Sequence, residues 1–160
     1  MKILGIDPGT GIVGFGVIEK SKINYKLIDG GVIRTPAHQA DEYRLHTIYN
    51  GIAEIIDQHS PDVVVVEKLF FARNVTNAMS VSQARGVILL ASTIKGIPIA
   101  EYTPLQIKQA LTGYGRAEKS QIQEMVKVLL KLQEIPKPDD CADAIAAALT
   151  HGHTLQLPKS

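Results

Sequence analysis

Asp62-Val63-Val64-Val65-Val66-Glu67 sets four consecutive β-branched residues between two acids. Alternating apolar and polar residues mark a strand with one wet face. An unbroken apolar run marks a strand covered on both faces, as the central parallel strands of an α/β sheet are. Upstream, Pro61 stops a helical stretch, Asp41–His59, whose Leu45, Ile48, Ile52, Ile55 and Ile56 recur at helical spacing. Before it, residues 2–7, 14–19 and 23–35 read as three strands joined by a glycine-rich turn and a turn at 20–22, an antiparallel meander. Downstream, residues 77–95 predict a helix closed by Gly96, and 97–102 a further strand. Helices follow at 104–111, 118–132 and 139–150, with a Gly113-Tyr114-Gly115 turn between the first two. This order predicts one α/β domain over residues 1–153. Its mixed sheet has three antiparallel meander strands plus parallel strands, flanked by helices on both faces, and residues 154–160 form a short tail.

The chain has 160 residues, 45% hydrophobic and 21% charged, the composition of a globular domain, and no apolar run approaches a membrane span. Gly5, Asp7 and Gly9 interrupt the apolar core that a signal peptide would need. The lone cysteine, Cys141, leaves no intramolecular disulfide framework and suits the reducing cytosol, so a cytoplasmic protein is expected. Net charge is +1, but it is unevenly spread. Residues 1–67 carry six Lys/Arg against nine Asp/Glu, residues 68–137 ten against four, and residues 138–160 one against three. A basic middle between acidic ends suits a phosphate-binding surface beside a carboxylate site, though Lys-rich solvated helix faces give the same count.

Asp7 ends the first strand and Glu67 the four-valine strand. If these strands are parallel neighbours, both acids leave the same carboxyl edge of the sheet, where open α/β sheets place their sites. One acid after an apolar strand is commonly a solvated terminus; two are harder to explain that way. Asp140 and Asp143 stand three apart, on one face of the last helix. Cys141, Ala142, Ala144 and Ala146–Ala148 around them are small enough to let that helix approach the sheet closely. Asp139 is accounted for as a helix cap after Pro138. Converging carboxylates repel one another unless a cation joins them. Hard oxygen donors without a Cys/His cluster favour Mg²⁺, with Mn²⁺ able to substitute, over Zn²⁺. Two such ions about 4 Å apart serve in-line phosphoryl displacement, which implies phosphodiester hydrolysis.

Two patterns compete. Gly9-Thr10-Gly11-Ile12-Val13-Gly14 spells G-x-G-x-x-G with Asp29 downstream, but a dinucleotide loop opens a helix whereas Phe15-Gly16-Val17-Ile18 continues as strand. Asp7-x-Gly9-Thr10 also resembles the phosphate loop of actin-like ATPases, which close two such lobes around a nucleotide. His151-Gly152-His153 reads as a helix C-terminus with cationic groups at its negative pole, with His151 also in reach of a catalytic water.

Ile6-Asp7-Pro8-Gly9-Thr10 with Gly14-Phe15-Gly16, and Val66-Glu67-Lys68-Leu69-Phe70-Phe71-Ala72-Arg73-Asn74, resemble the RuvC family of crossover junction endodeoxyribonucleases. So do Gln83-Ala84-Arg85-Gly86, Tyr102-Thr103-Pro104 with Lys108, residues 115–119, and Asp140-Cys141-Ala142-Asp143-Ala144. The similarity runs from Met1 to about His153. It implies an RNase H-like fold, a homodimer, and Mg²⁺-dependent nicking of opposed strands of a Holliday junction, leaving 5′-phosphate and 3′-hydroxyl ends. It also implies partnership with the RuvA and RuvB branch-migration proteins. The family's four acids fall on Asp7, Glu67, Asp140 and Asp143; some relatives carry His at the position of Asp140. Phe70 resembles the family aromatic that stacks on an unpaired base, and Lys108 and Lys119 the lysines beside the scissile phosphate. Arg73, Asn74 and Arg85 are further DNA-contact candidates. Symmetric nicking needs two sites at fixed separation, and the helix at 77–92, richer in apolar residues than one face requires, is the expected interface. Val81 and Ile88 are the positions expected to test it.

Overall fold

The computed structural model describes residues 1–68 and 75–155, and the side chains of residues 77–155 within the second of these spans. Five strands, β1 (Lys2–Asp7), β2 (Ile12–Ser21), β3 (Asn24–Arg34), β4 (Val63–Glu67) and β5 (Ile99–Tyr102), form one sheet in the order β3-β2-β1-β4-β5. β1, β2 and β3 pair antiparallel, while β1–β4 and β4–β5 are parallel. The expected meander and parallel strands are therefore both present. β2 runs longer than the expected 14–19, because its pairing with β3 continues from Ile12↔Arg34 to Ser21↔Asn24, while β3 is one residue shorter at each end than the expected 23–35.

Helices α1 (Asp41–His59) and α2 (Val75–Ile94) cover one face. Helices α3 (Pro104–Thr112), α4 (Lys119–Leu129) and α5 (Asp139–Thr154) cover the other. The period-two alternation of strands divides the side chains between two cores. Leu4, Ile6, Val64 and Val66 join Ile48, Ile52, Ile56, Ala84 and Ile88 on the α1/α2 side. Ile3, Val63 and Val65 join Ile107, Ile122, Val126 and Ile145 on the other. The four valines of β4 thus serve both cores, which explains why that stretch has no polar position.

α5 lies in a glycine channel. A Cβ at Gly5 would stand 2.0 Å from the Ala144 carbonyl oxygen, and one at Gly14 1.9 Å from that of Asp140. With Gly5 opposite Gly16 and Asp7 opposite Gly14 in the β1–β2 ladder, bare backbone lines the path of the helix. Its complement is the alanine run of α5, buried from Ala144 to Leu149.

Two helix-end expectations are corrected. Pro138, not Asp139, is the N-cap of α5; Asp139 lies in the first turn and makes no capping bond. Gly152 does not stop the helix, which continues to Thr154, so Thr154 belongs to it and not to a tail. Gly152 is bare because Tyr25 sits against it, where a Cβ would approach the ring to 2.6 Å. The adjacent His153 stacks on the same ring, with centroids 5.8 Å apart.

Candidate active site

Asp7 and Glu67 stand on neighbouring parallel strands, one residue beyond the paired Ile6 and Val66. Asp7 follows Ile3 and Gly5, and Glu67 follows Val63 and Val65, so alternation turns both toward the α5 side. The glycine channel brings the first turns of α5, with Asp140 and Asp143, across the same edge. The structure therefore brings the four acids expected from the sequence near one another, close enough for Glu67, Asp143 and Asp140 each to act on the charge of Asp7.

Their electrostatics record the convergence. Burial, then repulsion from Glu67, Asp143 and Asp140, raises the Asp7 carboxyl to about 8. Burial and repulsion from Asp143 raise Glu67 to about 7, against the pull of Lys119 and Lys108. Asp143 is also raised, first by burial, although Lys119 opposes the shift. Lys119 Nζ donates to Asp143 Oδ2 at 2.9 Å and lies 3.4 Å from Asp139 Oδ2. Burial works against that ammonium, but these carboxylates outweigh it and raise its pKa.

Lys108 reaches the same place from α3. Thr103 caps that helix, accepting from the Gln106 amide while the Gln106 side chain accepts from the Thr103 amide, and Pro104 opens it. The result is a cleft of about 250 Å³ lined by Glu67, Asp143, Lys108 and Lys119, with an apolar floor of Pro104, Ile107, Ile122 and Ala146. The sequence expectations did not include that floor. Its signal was the ordinary inward stripe of α3 and α4, which looks the same under a cleft as under a core.

Further residues support the edge. The hydroxyl of Thr35 donates to the Thr10 carbonyl at 2.5 Å and Arg44 Nε donates to Thr35 Oγ1 at 3.0 Å, while Thr10 and Ser80 share a hydrogen bond. The turn after Asp7 is thereby tied to α1 and α2. Tyr102, paired with Glu67 in the β4–β5 ladder, hydrogen-bonds through its hydroxyl to His151 Nδ1 at 2.9 Å, and burial lowers the His151 imidazole. Arg85 lies on the opposite face of the sheet, in an ion pair with Glu101. Phe70, Arg73 and Asn74 lie outside the described residues.

A hard divalent cation fits this donor set: carboxylate oxygens whose charges oppose one another, with no sulfur or histidine among them. Among the described residues no three acidic, His or Cys side chains are already drawn into a set that could hold an ion.

Residues 3–151 match the family model of the crossover junction endodeoxyribonuclease RuvC. The chain belongs to the RuvC family. It is 56% identical over 157 residues to the crossover junction endodeoxyribonuclease RuvC of Desulfitobacterium hafniense, covering 98% of this chain and 95% of that one. It is 54% identical to that of Halothermothrix orenii at the same coverages. Among solved structures it is similar to Thermus thermophilus RuvC, with a TM-score of 0.90 and 36% identity over 98% of this chain and 96% of that one. The Thermus protein in complex with a Holliday junction substrate matches at 0.90 and 34%, over 98% and 96%. The yeast mitochondrial resolvase Ydc2, at 0.64 and 14% over 95% and 80%, shares the fold. The RNase H-like architecture expected from the sequence is thus that of the RuvC family.

Proposed function

We propose that this protein resolves Holliday junctions in DNA recombination and repair, nicking two opposed strands by metal-dependent phosphodiester hydrolysis that leaves 5′-phosphate and 3′-hydroxyl ends. The observation that carries the proposal is the approach of Glu67, Asp140 and Asp143 to Asp7 at one sheet edge, with the carboxyls of Asp7, Glu67 and Asp143 raised by burial and by neighbouring acids. These four would hold Mg²⁺, as two ions per site, with Mn²⁺ able to replace it. When bound, such ions polarise the phosphate and lower the pKa of a coordinated water.

The chain's own groups do the rest. Lys108 and Lys119, at the cleft wall, place positive charge where the scissile phosphate gains negative charge. Lys119 also holds Asp143 in place before substrate arrives. The floor of Ile107 and Ile122 keeps water from the back of the site. Phe70, Arg73 and Asn74 follow β4 in sequence, and their assigned role is to grip the junction. Base stacking by an aromatic contributes roughly 1–3 kcal/mol and suits distorted DNA.

Two nicks need two sites, and a second copy of this chain supplies the other. α2 carries an exposed stripe, Met79, Gln83, Gly86 and Leu90, stepping by four, three and four residues, with Ile94 beyond it. That is the spacing of a helix–helix seam, and Gly86, with nothing within 4 Å of its Cβ position, admits a close partner. Ile88 is fully buried and points into the core of its own chain, so the expectation that it tests the interface is corrected; Leu90 takes its place. RuvA and RuvB are the branch-migration partners that family membership brings. No helix among the described residues is long and apolar enough to cross a membrane, and we assign the protein to the cytoplasm with its DNA substrate.

The test is cleavage of a mobile synthetic four-way junction in Mg²⁺, beside a linear duplex and an RNA duplex. Wild type cuts the junction symmetrically, and Asp7→Asn abolishes cutting while retaining junction affinity, since phosphate and stacking contacts lie elsewhere. Equal cleavage by the two proteins would overturn the proposal.

A further inference from the structure

Behind the catalytic edge, on the face away from α5, an ion pair joins α2 to β5. Alternation along β5 sends Ala100 and Tyr102 into the α3–α5 core and Ile99 into the α1/α2 core, so Glu101 leaves on the α2 side. There it meets Arg85, next to the fully buried Ala84 and one turn from the fully buried Ile88. The Arg85 side chain is only 24% exposed and that of Glu101 28%. Arg85 Nε is the one buried side-chain nitrogen or oxygen without a partner among the described residues. An arginine kept for DNA would leave its guanidinium in solvent. This one is covered, and its charge is already taken up.

The contacts continue to the catalytic strand. Lys68 Nζ lies 4.0 Å from Glu101 Oε2, and the Lys68 amide donates to the Tyr102 carbonyl at 2.8 Å. That bond is the first beyond the Glu67↔Tyr102 pair, so it closes the ladder on the residue after the catalytic carboxylate. Because side chains alternate, a restraint on Lys68 and Glu101 behind the sheet fixes where Glu67 points in front of it. We infer that Arg85 and Glu101 form a positioning clamp for Glu67, acting through Lys68 and the β5 backbone. This replaces the DNA contact expected of Arg85 and rests on the nuclease reading above. The clamp touches neither substrate nor cation. It also ties the site to α2, the helix assigned to the dimer seam.

The experiment is a double-mutant cycle of Arg85→Gln, Glu101→Gln and their combination in the full-length protein, with folding checked by circular dichroism. Each single variant should slow single-turnover junction cleavage and weaken Mn²⁺ affinity by calorimetry, both by about tenfold, the usual size for a group that orients a metal ligand. The double variant should be no worse than either single one, because both remove the same contact. Junction affinity in Ca²⁺, and its dependence on salt, should match wild type. If instead Arg85→Gln weakens junction binding and lowers the salt slope by about one while Glu101→Gln does not, Arg85 is a phosphate contact and the clamp is wrong. Additive losses in the double variant would overturn it as well. Should wild type bind Mn²⁺ without cutting any junction, loss of Mn²⁺ affinity in both variants would still support the clamp while the nuclease reading fails.

Discussion

Burial and mutual repulsion hold Asp7 at about 8 and Glu67 at about 7, against ordinary values of 3.8 and 4.5. Between those limits the folded chain keeps protons that the unfolded chain has released, so the folded state binds more of them. Stability therefore falls as pH rises through that window, the reverse of the usual behaviour of paired carboxylates. Without divalent cations, the melting temperature is expected to drop between pH 5 and pH 8. Asp7→Asn, which removes one repelling charge, is expected to flatten that slope and to melt higher than wild type at pH 8. For a chain of this size even 1 kcal/mol of relieved repulsion is about 2–4 °C. Mg²⁺ should raise the melting temperature more at pH 8 than at pH 5, because only ionised carboxylates bind it. Scanning calorimetry across pH with and without Mg²⁺ measures all of this, and an Asp7→Asn protein with an unchanged pH slope would show that the site is not electrostatically strained.

At the scale of elements, the decisive contact is α5 in its glycine channel. Gly14→Ala places a methyl 1.9 Å from the Asp140 carbonyl oxygen, which is helix backbone and cannot swing aside. The helix must lift, and it carries Asp140 and Asp143 with it. The expected cost is about 1–3 kcal/mol in urea denaturation, with a larger proportional loss in cleavage than in junction binding. Unchanged stability and rate would mean that the channel is looser than the backbone geometry indicates. This channel was only half legible in the sequence. The alanine run showed that α5 comes close to something, and the valines of β4 showed a central parallel strand. Together they pointed to the four acids that lie near one another at the sheet edge. Contacts between distant residues were not legible. Gly152 reads locally as a helix stop, and only Tyr25, a strand on the far side of the chain, makes it a packing residue. Arg85 and Glu101 lie 16 residues apart on a helix and a strand, so no periodicity links them. Apolar residues fall on both the inner and the outer side of α2, which hid that Ile88 faces inward and Leu90 outward.

For the whole molecule the question is how two cuts are placed symmetrically. Each chain presents one set of carboxylates, so a lone chain has no means of cutting two strands in one encounter. The two-fold dimer through α2 proposed above would fix the second site, because each α2 is tied to its own sheet edge by Arg85–Glu101 and by Thr10–Ser80. Leu90, 53% exposed on the outer stripe, is the place to test this, since a charge there would fall in the proposed seam without entering the core. Leu90→Glu should shift the sedimenting species from dimer to monomer at micromolar concentration and leave the circular dichroism spectrum unchanged. On a supercoiled plasmid extruding a cruciform, wild type should give linear product, from two cuts within one binding event. Leu90→Glu should give nicked circles at a reduced rate. A Leu90→Glu protein that remains dimeric would move the interface off this stripe. One that is monomeric and still linearises the plasmid at the wild-type rate would break the link between dimerisation and paired cutting.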